Sequence, residues 1–190
     1  MNTTYSITDV TTNVTRLDAS LLKGVLARHD SGIYILAEPK KIEEGVALSS
    51  EDLFKVLNLL RTMFSYVIID TETGLNNKTM TALKMSDTIV YPLILSLPGI
   101  KNTQRYLSYF DMMELRNKIM LVVNRHIKRG EIKADDAERI LKKNIAWSFP
   151  NDYEAAMMCL NKGVSLSLGA PKSQLYESVT DFARAQVRKK

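Results

Sequence analysis

The chain has 190 residues, enough for one domain with a filled core. With 45% hydrophobic and 25% charged residues its make-up is that of an ordinary globular protein, and no apolar run approaches the roughly 18 residues that would span a bilayer. One cysteine, Cys159, excludes an internal disulfide, and the net charge is +5. The first residues, Met1 to Ser6, have neither a basic start nor an apolar core, so no signal peptide is expected.

In chain order the elements alternate between short apolar strands and longer amphipathic helices. Ile33–Ala37 reads as a strand closed by Pro39. Ser49 or Ser50 caps a helix over 51–63, with Leu53, Val56, Leu57 and Leu60 on one face. Tyr66–Ile69 is too apolar for a wet face and predicts a strand buried on both sides, ending at Asp70. Asn76 or Asn77 caps a helix to about Met85. Asp87–Leu95 predicts a strand in which Pro92 marks an edge or a bulge. A helix over about 100–115 follows, with Tyr106, Leu107, Phe110 and Met113 inward. Lys118–Asn124 is a buried strand, Ala134–Lys142 a charged helix, and Ala146–Phe149 a strand stopped by Pro150. Helices over 152–162 and 172–189 finish the chain. This alternation predicts an α/β fold, three-layered, with a mainly parallel sheet flanked by helices.

The polar residues that matter lie at strand ends. Asp70 closes one strand, Asn124 another, and Pro150, Asn151 and Asp152 follow a third. In a parallel sheet these ends converge on the edge where open α/β folds place their ligands. A carboxylate there can hold Mg²⁺ through its water shell, and the amide of Gly74, four residues on, can approach a phosphate. That is the Walker B half of a phosphate-binding nucleotide site. The usual other half is a glycine-rich loop ending in Lys-Ser/Thr, yet no glycine of this sequence is followed by lysine. Taken singly, each residue also has a plain structural reading. Asp70 and Asn124 can close turns with their own side chains, and Pro-Asn-Asp is an ordinary start for a helix.

Taken together, RHDSGIYILAEP (28–39), FSYVIIDTETGLN (64–76), LVVNR (121–125), FPNDYEAAMMCLNKGVSL (149–166) and APKSQLYESVTDFA (170–183) resemble the ParA/MinD superfamily of P-loop ATPases. The likeness is greatest to its TadZ/CpaE-like pilus-assembly branch and covers nearly the whole chain from about Ser6. It implies one P-loop NTPase-like domain over 1–190, N-terminally incomplete, without the first strand, the phosphate loop and the second strand. It also implies ATP and Mg²⁺ as ligands. Asp70 would be the outer-shell metal carboxylate and Gly74 the switch glycine near the γ-phosphate. Asn124 would recognise adenine, Arg125 would pack beside the base, and Pro150, Asn151 and Asp152 would form the loop on its far side. Thr71 and Glu72 depart from the family pattern, where proline is common after the aspartate, and Glu72 places negative charge near a phosphate. The region LILSLPGIKN (93–102) also departs, at a strand end where the family usually has a Thr-Pro pair.

The expected function is therefore an ATP-binding protein for assembly and localisation of pilus or secretion machinery, catalytically incompetent as this chain. The resemblance implies a homodimer that contacts assembly-platform proteins, cytoplasmic and peripheral at the inner membrane or cell pole. Two other readings stay open. One is a ParA-like DNA-partitioning protein, since Lys101–Lys143 holds eleven Lys/Arg against six Asp/Glu and so carries the whole +5. The other is a non-enzymatic scaffold. The last helix, with an apolar stripe of Leu175, Val179, Phe182 and Ala183 and a basic end from Arg184 to Lys190, either packs on the sheet or meets membrane.

Overall fold

The computed structural model describes residues 4–11, 17–39 and 41–187. The chain forms two compact units, 1–86 and 87–190.

The first unit is largely helical. It contains α1 (Ile7–Thr11), α2 (Ala19–Val25), α3 (Ile42–Ala47), α4 (Ser50–Met63) and α5 (Asn77–Met85). The Ser49 hydroxyl accepts the Asp52 amide at the start of α4, and Asn76 accepts the Thr79 amide at the start of α5, as the sequence predicts. Val56, Leu57 and Leu60 of α4 join Val10, Leu22, Leu26 and Ala82 in one buried cluster. Burying each such side chain contributes roughly 1.5–3 kcal/mol. A small hairpin was not expected. β1 (Ala27–Arg28) pairs antiparallel with β2 (Tyr34–Ile35), so only the middle of the Ile33–Ala37 strand is realised. The Tyr34 ring rests on Phe64 with centroids 5.4 Å apart.

The expectation for Tyr66–Ile69 is corrected here. The segment is extended but pairs with no strand among the described residues. Its residues alternate. Val67 and Ile69 pack against the helical cluster, whereas Tyr66 is 50% and Ile68 94% exposed. A strand apolar on both faces needs cover on both faces and backbone partners beside it. The helices supply only one face.

The second unit carries the three-stranded parallel sheet, in the order β3 (Ile89–Leu93), β4 (Ile119–His126), β5 (Ile145–Pro150). It is flanked by α6 (Leu97–Met112), α7 (Ala134–Leu141), α8 (Tyr153–Lys162), α9 (Leu166–Gly169) and α10 (Gln174–Val187). β4 is central, and Leu121, Val122 and Val123 are buried in succession, as a strand covered on both faces must be. β3 lies at the sheet edge, which accommodates Pro92. Along it Ile89, Tyr91 and Leu93 turn inward, and Tyr91 meets Tyr106 and Phe110 of α6. Burial there pushes the Tyr91 phenol above its ordinary value.

α6 begins at Leu97, earlier than expected, because the Ser96 hydroxyl accepts the Gly99 amide and Pro98 fits the first turn. α10 packs on β5 through an aromatic contact. Phe182 lies 5.7 Å from Trp147 and 5.3 Å from Phe149, and the Trp147 indole donates to the Ser178 hydroxyl at 3.1 Å. Its inward face therefore runs through Ser178 and Phe182, while Val179 and Ala183, expected in the stripe, are exposed. Arg184 pairs with Asp181, and Arg188 to Lys190 lie outside the described residues. No helix among the described residues is long and apolar enough to cross a membrane.

Candidate functional site

The carboxyl ends of β4 and β5 bring five of the expected residues together. Leu121 faces Ile145 and Val123 faces Ser148, but His126 faces Pro150. Asn124 and Arg125 therefore stand opposite the single residue Phe149, which makes a bulge. Bulges of this kind bend a strand and re-aim its side chains. Arg125 adopts the left-handed conformation with φ 54°, a region that a residue with a Cβ enters at a cost of about 1–2 kcal/mol. The Arg125 amide donates to Asn124 Oδ1 at 2.9 Å, so the Asn124 side chain closes a local turn. Both side chains are exposed.

β5 runs on to Pro150, one residue beyond the expected end. The Asn151 amide then donates to the His126 carbonyl at 3.0 Å, which ties the loop to the end of β4. The Asp152 amide donates to the Pro150 carbonyl at 3.1 Å. Asp152 caps α8, its carboxylate accepting the Ala155 amide at 3.2 Å. The plain reading of Pro-Asn-Asp as a helix start is thus correct, and it coexists with a place at the sheet edge. His126 stands opposite Pro150 at the end of the bulge. Its Nδ1 is buried and has no hydrogen-bond partner among the described residues. A buried polar atom without a partner is rare and asks for an explanation. Nothing in the sequence signals it, because it follows from the bulge.

Asp70 and Gly74 belong to the first unit. Asp70 is exposed at the end of the one-sided segment. Gly74 has φ 134°, which side chains other than glycine's rarely adopt. The Glu72 carboxylate accepts the side-chain amide of Asn76, the residue that caps α5. Among the described residues no group of three or more His, Cys, Asp or Glu is placed to hold a metal ion. A site in which Mg²⁺ keeps most of its waters and takes only one carboxylate does not require such a group. Elsewhere in the first unit, an open concavity of about 460 Å³ is lined by Leu17, Lys55, Asn58, Leu59 and Thr62. None of the expected site residues lines it.

The basic stretch is partly consumed by the fold. The Arg116 guanidinium bonds Asp111 at 2.6 Å and the carbonyls of Leu141 and Lys142 at 2.9 and 3.2 Å. Lys143 donates to the Arg116 carbonyl at 3.1 Å, and burial with the neighbouring Arg116 charge lowers its pKa. Lys101, Arg105, Lys128, Arg129 and Lys133 remain exposed.

No known family pattern matches the chain. An uncharacterized ATP-binding protein of Methanocaldococcus jannaschii is 27% identical over 160 residues, covering 82% of this chain and 60% of that protein. The septum site-determining protein MinD of Thermotoga maritima is 23% identical over 186 residues, covering 95% of this chain and 66% of that protein. The chain thus spans 60–66% of the length of these relatives. Among solved structures, a ParA family ATPase from Chlorobium tepidum superposes with a TM-score of 0.89 at 22% identity, over 96% of this chain and 76% of that one. A chain of the Aquifex aeolicus MinC:MinD cell division protein complex gives 0.79 at 19%, over 98% and 74%. A Pyrococcus horikoshii MinD with Mg-ADP gives 0.76 at 16%, over 94% and 71%. The chain therefore has the fold of the ParA/MinD-type P-loop ATPases and is similar in sequence to proteins of that group.

Proposed function

We propose that the chain is a ParA/MinD-type nucleotide-binding domain whose purine side is built by the second unit. One observation carries this reading. The Asn124–Arg125 bulge and the Pro150–Asp152 turn meet at the carboxyl ends of adjacent parallel strands, tied by the Asn151–His126 backbone bond. An exposed amide and a guanidinium on one side, and a proline-led turn on the other, suit a flat heterocycle with hydrogen-bonding edges. Adenine nucleotide is the ligand that the relatives' names suggest.

Asp70 would hold Mg²⁺ through water, and Gly74 would approach the terminal phosphate. The metal, when bound, offsets the charge of the phosphates. What this chain's own residues do is bind and orient the base. Phosphoryl transfer rests on positioning and on charge stabilisation of the phosphates, and removing one strong donor costs about 10²–10³ in rate. With no glycine followed by lysine in these 190 residues, the chain by itself binds nucleotide weakly and does not turn it over. The biological setting that fits is the pilus or secretion-machinery branch. There it acts as a homodimer beside assembly-platform proteins, cytoplasmic and peripheral at the membrane or cell pole. Within that setting a scaffold that retains the fold without turnover is the limiting form.

The test is a heteronuclear NMR titration of the chain with ATP and Mg²⁺. Shifts should appear at residues 124–126 and 150–155, and adenosine should bind about as well as ATP. Unperturbed signals at those positions would remove the purine reading. ATP binding far tighter than adenosine, or metal-dependent turnover, would remove the claim of incompetence. The exposed cations of α6 and the 128–133 loop favour a second reading, nonspecific DNA binding. It requires an affinity that falls steeply with salt.

A further inference from the structure

The loop between Asp70 and α5 is closed across its own glycine. Asn76 Oδ1 accepts the Thr79 amide at 2.9 Å, and a backbone N–H only donates, so that atom is the oxygen. The other end of the amide, Nδ2, donates to the Glu72 carboxylate. The bond spans Gly74, whose φ of 134° bends the chain between the two residues. An exposed carboxylate is thereby held two residues from the glycine. Its charge has no counterpart along the chain, because residues 62–77 hold Asp70 and Glu72 and no lysine or arginine. Lys78, the next cation, donates to the Gly45 carbonyl of α3 at 2.8 Å, so its ammonium is engaged there. A phosphate that approached the Gly74 amide would meet a negative charge fixed in place.

We propose that Glu72 determines specificity by charge: it sets the 70–77 loop against phosphate, so that the chain ranks adenosine first, ADP next and metal-free ATP last. This rests on the reading of Gly74 as the residue that faces the terminal phosphate. Repulsion between a carboxylate and a phosphate chain depends on charge and distance and not on the base, so the effect is confined to the phosphate end. Near the loop surface one such charge changes the affinity for a highly charged ligand by about threefold to tenfold, and salt screens the effect.

The test is a set of NMR shift titrations at low salt of the 190-residue chain and two variants, with adenosine, metal-free ATP and inorganic tripolyphosphate. Glu72→Gln keeps an oxygen for the Asn76 amide and removes the charge. It should bind ATP and tripolyphosphate about threefold to tenfold more tightly than the parent, with adenosine unchanged, and the gain should shrink in high salt. Glu72→Ala loses the charge and the bond together and should gain at least as much. Glu72 is exposed, so neither variant should disturb the fold. A gain in Glu72→Ala but not in Glu72→Gln would mean that the contact with Asn76 sets the preference, and it overturns the inference. Equal binding of ATP and of tripolyphosphate by parent and variants also overturns it, while the purine site stands if adenosine still shifts residues 124–126 and 150–155. If adenosine shifts nothing, the purine reading fails, and tripolyphosphate, which carries no base, still decides the role of Glu72 from the signals of residues 70–77.

Discussion

Arg125 is the residue at which local cost and candidate function coincide. Its φ of 54° lies in a region that costs an L-residue about 1–2 kcal/mol, and no hydrogen bond or ion pair of its side chain among the described residues offsets that. Strain of this kind collects where the surrounding structure needs a particular side-chain direction. Arg125→Gly should relieve it. Glycine's larger loss of chain entropy takes back about 0.5–1 kcal/mol, so the variant should be as stable as the parent or up to about 1.5 kcal/mol more so. Urea denaturation measures this, and a clear loss of stability would mean that the guanidinium contributes to the fold. The sequence made Asn124 and Arg125 visible as the end of a buried strand. It did not show the bulge, because a bulge arises from the register between two strands and neither strand encodes it alone. His126 stayed hidden for the same reason. Asp70 shows the opposite case, in which an apolar run looks like a doubly covered strand although only Val67 and Ile69 find cover.

Helices were the legible elements. α4 and α5 start at the caps the sequence names, because Ser49 and Asn76 satisfy free amides by purely local geometry. The β1–β2 hairpin and α9 were missed, since two-residue strands and a four-residue helix leave no periodic trace. α9 instead depends on a close approach. A Cβ on Gly169 would lie 2.6 Å from Cys159 Sγ and 2.9 Å from Val164 Cγ2. Gly169→Ala should therefore cost about 1–3 kcal/mol, as overpacking does. Adding Cys159→Ala removes the nearer obstacle, so the double variant should recover part of the loss contributed by Gly169→Ala. Strictly additive effects in a denaturation cycle would show that the sulfur is not what the new methyl group meets. Cys159, which is buried, is then a packing residue.

At the scale of the whole molecule, the parallel sheet was readable because β4 is apolar from Ile119 to Val123 and its neighbours alternate with helices. The charge balance was less informative. Of the eleven cations between Lys101 and Lys143, Arg116 and Lys143 clasp the chain around the end of α7, so a count of basic residues overstates the surface a polyanion meets. The extended segment before Asp70 has a colloidal consequence. Residues 67–70 form no strand pairing among the described residues, and Ile68 stands almost wholly in solvent. Unpaired amides beside an open apolar side chain form a template onto which another chain can add. Light scattering of the chain should therefore rise with concentration. Ile68→Lys should suppress that rise and shift stability by no more than about 0.5 kcal/mol, since the side chain touches little. Scattering unchanged by the substitution would place the cause elsewhere. The residue that most weakens the case for a buried strand would then be the one that sets how concentrated the protein can become before it leaves solution.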